Sequence, residues 1–267
     1  MNTKIGIGVI TCNREDFFKQ CIQSLPTVDN VVVVNDGNPY PSDAYPSGIE
    51  VIQHGTNKCV GVSKNEALRY LMQSGCQYMF LIEDDIIVKD KTVCEQYIKA
   101  GEKTGIWHMN FGYHGPANFH PKQYGIKNPR QIVDYGDGIE IAFNPNCVGA
   151  FSMYVRGMIK HVGYMDERYH NCWEHVEHTY RIIKAGLHPP FWWFADLANS
   201  DKYLQELASS EVNSTIRKTP EWINNMRQGM EWFRHNHGNI PQQIPNTTDE
   251  QILEILKSIQ QNYSKQS

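Results

Sequence analysis

The chain has 267 residues, 40% hydrophobic and 20% charged, with a formal net charge of −4. That length suits one large domain or two closely fused ones, and the composition is that of an ordinary soluble globular protein. The acidic balance gives no support for broad, sequence-independent binding along a phosphate backbone, although a local basic patch remains open.

No window approaches 18 uninterrupted apolar residues, so no spanning helix is expected. The opening MNTKIGIGVITCN lacks a signal-peptide cleavage pattern and reads as a first strand. Seven cysteines, at 12, 21, 59, 76, 94, 147 and 172, form no CxxC pair, the usage expected of reduced thiols in a cytoplasm.

In chain order, Ile5–Ile10 reads as a strand and Glu15–Ser24 as a helix closed by Pro26. Val31–Val34 is a continuous β-branched run, as in a strand buried on both faces, broken by the turn Asn35-Asp36-Gly37-Asn38-Pro39. Ile49–Gln53 is a short strand, and Val62–Gln73 has helical periodicity. Tyr78–Ile82 is the next strand and Lys91–Lys103 the next helix. Residues 105–170 are richer in Gly, Asn, His and Tyr and read as loopier, with Cys147–Val155 as a strand. Trp173–Ala185 is a helix ended by Gly186, and two more helices fall near 219–234 and 248–263. The alternation predicts an α/β fold with a largely parallel sheet, whose ligands bind beyond the carboxyl ends of its strands. Asp36 and Glu83-Asp84-Asp85 both fall there. Gly6 and Gly8 make no dinucleotide fingerprint, because no GxGxxG leads into a helix.

Three adjacent acids at the end of a buried strand repel one another unless a cation offsets them, and hard oxygen ligands suit Mg²⁺ or Mn²⁺ sharing a diphosphate. The bland alternative is a polar strand-to-loop exit. On the helix from Trp173, positions 174, 177, 178 and 181 share a face. Its bland reading is a pair of i, i+4 contacts, Glu174–His178 and Glu177–Arg181. Phe191, Trp192, Trp193 and Phe194 are candidates for an acceptor groove, with core packing as the alternative. His108, His114 and His120 receive no role.

Taken together these segments resemble the family 2-type glycosyltransferases of the GT-A fold. Ile10-Thr11-Cys12-Asn13-Arg14 resembles the strand-end motif that borders the nucleoside, and Val34-Asn35-Asp36-Gly37 the motif whose Asp faces uracil. Asn57, Gly61 and Ser63-Lys64-Asn65 match a helix-start pattern in which Lys64 takes the place of an Arg. Leu81-Ile82-Glu83-Asp84-Asp85 matches the DxD strand, and Val162–Glu167 and Trp173–Arg181 match later motifs. The resemblance implies a metal-dependent transferase of a hexosyl or pentosyl group from a nucleotide sugar, UDP-linked first, with inversion favoured. It implies Asp85 and Glu83 as ligands of Mn²⁺ or Mg²⁺. Thr11, Asn13, Arg14, Asp36, Gly61, Lys64, Glu83 and Asp84 are implied to hold the donor, and Glu174 and His175 to be catalytic, Glu174 before His175.

Two departures stand out. Glu174-His175 replaces the family's Glu-Asp, which keeps retention open, and the loop expected to supply a third metal ligand offers Asp196 or Asn199. The expected organisation is a GT-A domain over 1–200, divided into a nucleotide-sugar-binding half (1–110) and an acceptor half (111–200), with a helical extension over 201–267. The expected acceptor is a surface-polysaccharide glycan reached from the cytoplasm. Hydroxymethylated pyrimidines in phage DNA and a non-catalytic binding role are the rivals.

Overall fold

The β-branched run Val31–Val34 sits inside β2 (Asn30–Asn35), where it is covered on both sides. The computed structural model describes residues 3–123, 125–186, 194–208, 214–238 and 248–264. Around β2 lie β1 (Ile5–Thr11), β3 (Glu50–Gln53), β4 (Tyr78–Glu83), β6 (Met109–Asn110) and β9 (Phe151–Val155), in the sheet order β3-β2-β1-β4-β9-β6. The first four of that order are parallel, and β9 runs antiparallel to both β4 and β6. A three-stranded antiparallel sheet joins β7 (Gln131–Asp134), β8 (Glu140–Asn144) and β10 (Phe194–Leu197), and a two-stranded ribbon joins β5 (Ile86–Val88) to β11 (Leu204–Glu206).

Side chains alternate across the main sheet as strand geometry requires. Val9, Val33, Phe80 and Ile82 face one core with α1 (Glu15–Ser24), α3 (Val93–Thr104) and α7 (Asp249–Ser264). Val32, Val34, Met79 and Leu81 face the other with α2 (Val60–Gln73), α4 (Arg156–Val162) and α5 (Glu174–Lys184). The glycines of β1 are explained by this second core. A Cβ on Gly6 would lie 2.5 Å from Leu71, and one on Gly8 would lie 2.7 Å from Ala67, so glycine lets α2 press onto the sheet.

The expected order of elements holds through α3. The stretch 105–170 is more regular than its composition predicts, because β6, β7, β8 and α4 all lie within it. These pieces are two to seven residues long, too short for a periodic signal, and β6 and β8 pair with the distant strands β9 and β10. α6 (Trp222–His237) docks on α5 through Phe233, whose ring lies 5.6 Å from Trp173 and 5.1 Å from Tyr180.

Candidate active site

Register brings the motifs together. Ile10 pairs with Glu83 and Thr11 with Asn35, so the carboxyl ends of β1, β2 and β4 open side by side. Strand β5 continues from the acidic triplet and pairs Ile86 with Glu206, while Leu207 N–H donates to the Asp85 carbonyl at 2.7 Å. Glu206 is thus delivered beside Asp85 from far along the chain. His114, in the loop after β6, lies between them, with Nε2 3.4 Å from Asp85 Oδ2 and from Glu206 Oε1.

The three acids divide. Asp84 is fully enclosed and takes its bonds from the Thr11 hydroxyl (2.6 Å) and from Arg14, so it faces the protein rather than the cleft. Arg14 also donates to Asp85 Oδ2 at 2.9 Å. Burial raises the Asp84 carboxyl above its ordinary value. Burial works the same way on Asp85, but His114 and Arg14 override it and hold that carboxyl low. His114 is disfavoured as a cation by burial, yet Asp85, Glu206 and Glu83 raise it to about 9.

At the end of β2, Asp36 Oδ1 accepts the Lys58 backbone N–H at 2.6 Å and lies 2.6 Å from His54 Nδ1. His54 Nε2 lies 2.7 Å from Glu66 Oε2. Among the described residues Asp36 Oδ2 takes no hydrogen bond, which leaves it for a ligand. Asn13, at φ 55°, accepts the Asn38 N–H at 2.8 Å. A Cβ on Gly37 would stand 2.5 Å from Asn13 Oδ1, so glycine is required at that turn. Asp36, Thr11, Cys12 and Asn57 line a cavity of ≈ 120 Å³.

The wall of the site toward α5 is built on Lys64. Its buried ammonium lies 2.8 Å from Glu83 Oε1, 3.2 Å from Glu174 Oε1 and 3.1 Å from the Gly149 carbonyl. Burial lowers its pKa, but Glu83 and Glu174 more than offset this and hold it charged. Burial opposes ionisation of Glu174 too, and His175 and Lys64 reverse it, so Glu174 is held well below the ordinary range. Glu174 is 2% exposed. Glu174 and His175 both line a cavity of ≈ 230 Å³ together with Glu83, Asp85, His114 and Glu206, and Glu174 Oε2 is buried without a hydrogen bond. His175 Nδ1 lies 2.9 Å from Glu174 Oε1. Gly61 lets α2 approach this corner, since a Cβ there would meet Glu174 Cβ at 3.3 Å. Among the described residues, four of the five non-glycine residues with positive φ, Asn13, Cys59, Asn171 and Trp173, flank the two cavities, which fits backbone strain stored at a working site.

Several expectations are corrected. Glu174 and His178 do not pair: His178 Nε2 donates to the Gly163 carbonyl at 2.9 Å, while Glu177 and Arg181 do bond. Asp196 is no third ligand, being bound inside by Tyr97, Ser200 and the Gly112 N–H. Asn199 opens the short 3₁₀ turn at Ser200–Lys202. Phe194 is buried in β10 rather than lining a groove, and Phe191, Trp192 and Trp193 lie outside the described residues. His114 and Glu206 were missed, because neither belongs to a local motif.

Among the described residues no three or more His, Cys, Asp or Glu side chains are already arranged around a common point for a cation. The chemistry nonetheless fits one. Asp85 Oδ1 is buried without a hydrogen bond, and with Glu206 and His114, an imidazole that becomes a metal ligand once it gives up its proton, it forms a donor set that a divalent ion takes.

No curated protein matches the chain. Among solved structures, S. aureus TarS (residues 1–349) has a TM-score of 0.54 at 13% identity, over 98% of this chain and 71% of that one. The mannosyltransferase PcManGT from Pyrobaculum calidifontis, in complex with GDP-Man and Mn²⁺, has a TM-score of 0.55 at 10% identity, over 97% and 69%. GalNAc-T7 with UDP, GalNAc and Mn²⁺ has a TM-score of 0.54 at 11% identity, over 98% and 54%. At such identities these likenesses establish the fold, which is GT-A, and nothing finer. The glycosyl transferase family 2 profile matches residues 7–163, over half of the sequence and every strand end described above from β1 to β9. The chain belongs to glycosyl transferase family 2.

Proposed function

We propose that the chain transfers a hexosyl or pentosyl group from a UDP-sugar to an acceptor hydroxyl by an inverting single displacement, with His175 as general base. The observation that carries this reading is the Glu174–His175 pair at the wall of the larger cavity. Glu174, enclosed and ionised, accepts from His175 Nδ1–H and fixes the ring, so that Nε2 presents its lone pair to the cavity. An imidazole held this way takes the acceptor proton as the new bond forms. Glu174, held through Oε1 by both Lys64 and His175, is read as the orienting carboxylate and His175 as the reacting base, reversing the order expected from the motif.

Asp36 Oδ2 suits the N–H of a uracil ring in the smaller cavity, which Thr11, Cys12 and Asn57 also line. Glu83, bonded to Lys64, stands between the cavities where donor-sugar hydroxyls would fall. Asp85, His114 and Glu206 would hold Mn²⁺ or Mg²⁺, which when bound neutralises charge developing on the leaving diphosphate. The known structures with GDP-Man and Mn²⁺ or with UDP and Mn²⁺ support the donor class and the cation.

The acceptor is read as a glycan hydroxyl, and the site of action as the cytoplasm. No helix among the described residues is long and apolar enough to cross a membrane, and all seven cysteines are free, in keeping with a reducing compartment. The test is a panel of UDP-, GDP-, CDP- and dTDP-sugars with Mn²⁺, read as released nucleotide with and without glycan acceptors. UDP release stimulated by a glycan is expected. A folded protein that binds UDP yet turns over no donor with any acceptor would favour the non-catalytic reading.

A further inference from the structure

The two cavities meet at Arg14. Val60, Glu83, Asn171, Thr215 and Ile216 line both cavities with it, and Arg14 is the one cation in this shared set. A nucleoside diphosphate with its base at Asp36 and its sugar near His175 must carry its diphosphate across that junction. Yet the guanidinium is turned to the end of β4, with one amino group 2.9 Å from Asp85 Oδ2 and the other on Asp84 Oδ1. Nε is buried without a partner, and the Phe17 ring lies 5.5 Å away. Arg14 therefore takes one of the two oxygens of Asp85, the carboxylate on which the cation reading depends. The other, Oδ1, is buried with no hydrogen bond.

We propose that Arg14 changes partners as the donor loads: it neutralises Asp84 and Asp85 in the nucleotide-free protein and moves to the diphosphate when a divalent cation occupies Asp85. The inference rests on the cation reading above. A planar fork of donors fits either partner, because a carboxylate pair and adjacent phosphate oxygens offer the same two-point geometry. The backbone stays in place during the exchange, since Tyr40 Oη accepts the Arg14 N–H at 2.9 Å and Asn13 is tied to Asn38. Only the side chain has to turn. Without nucleotide, Arg14 and the cation compete for Asp85. With nucleotide, the diphosphate draws Arg14 away, so each ligand tightens the other, and by linkage to the same degree.

The experiment measures Mn²⁺ binding in the absence of nucleotide, by electron paramagnetic resonance of the free ion, for wild type, Arg14→Gln, Arg14→Lys and each combined with Asp85→Asn. Arg14→Gln is expected to bind Mn²⁺ about tenfold or more tightly than wild type, the scale of a lost charged hydrogen bond. The tightening of Mn²⁺ by UDP should shrink in parallel. Arg14→Lys, a point charge without the fork, should fall between. A role for Arg14 in gripping diphosphate alone would lower UDP affinity and leave nucleotide-free Mn²⁺ affinity unchanged. That outcome, with Asp85→Asn still weakening Mn²⁺, overturns the exchange while the cation site stands. No Asp85-dependent Mn²⁺ binding in any protein overturns both. Arg14→Gln leaves two buried acids without their counter-ion, so a thermal melt checks its fold. If it is unfolded, Arg14→Lys decides with the same sign.

Discussion

On the proposed reading Glu174 and His175 divide two tasks: the carboxylate orients and the imidazole takes the proton. His175→Ala should therefore lower kcat by about 10²–10⁴-fold and leave UDP-sugar affinity largely intact, because a base acts only as the bond forms. Turnover and donor titration on the same sample check this, and near-normal turnover contradicts it. Asp36→Ala should weaken UDP by about 1–3 kcal/mol, the cost of a lost charged hydrogen bond, measured calorimetrically. If UDP binds it as tightly as wild type, the base pocket lies elsewhere. These residues were legible because each sits at a strand end or helix start that local pattern reveals. Asp84 was legible as an acid but not as an inward-facing one. Asp84 and Asp85 form the turn between β4 and β5, where strand alternation no longer sets direction, so only the Thr11 and Arg14 contacts show which way Asp84 faces. His114 and Glu206 carry no local signal, since the pairing of β5 with β11 brings Glu206 to Asp85 and the loop after β6, tied to Glu206 through the Gly115 N–H, brings His114.

Helix α5 joins the site to the core through buried polar groups. His108 Nδ1 donates to the Met153 carbonyl at 3.0 Å, so Nε2 is left to accept the Thr179 hydroxyl at 2.9 Å. That arrangement needs a neutral ring, and burial lowers its pKa to about 4. A histidine whose folded pKa lies below its unfolded value of about 6.5 binds its proton more readily when unfolded, so its stability contribution is lost as pH falls through that window. His108 should cost the fold about 2 kcal/mol at pH 5 relative to pH 7.5. His178, lowered to about 3 by burial and then by Arg181, acts in the same direction. Melts at the two pH values should show a smaller acid loss in His108→Gln. An equal loss would place the acid sensitivity in other groups. Phe233, fully buried between α6 and α5, should cost about 3–5 kcal/mol when changed to Ala. Denaturant melts measure this, and a loss under 1 kcal/mol would mean that α6 is not docked as described. Neither seam was legible beforehand, because α6 was recognisable only as a helix and its partner is chosen by tertiary contact.

Across the whole molecule, the parallel half of the sheet was readable from continuous apolar runs and the turns that end them. The second half was not, because β6 to β8 are short and sit in Gly- and Asn-rich sequence, and β6 and β8 pair at long range. The residues after 200 also do more than extend the fold: β11 brings Glu206 to the site, and Ser214, Thr215 and Ile216 line the larger cavity. The proposed division at 200 therefore separates sequence stretches that share one site. The central claim is that a UDP-linked donor binds across the two cavities with a divalent cation at Asp85. Calorimetric titration of UDP with and without Mn²⁺, on wild type and Asp85→Asn, tests it most directly. Tight binding is expected only for wild type with Mn²⁺, and equal affinity in all four combinations would contradict the claim.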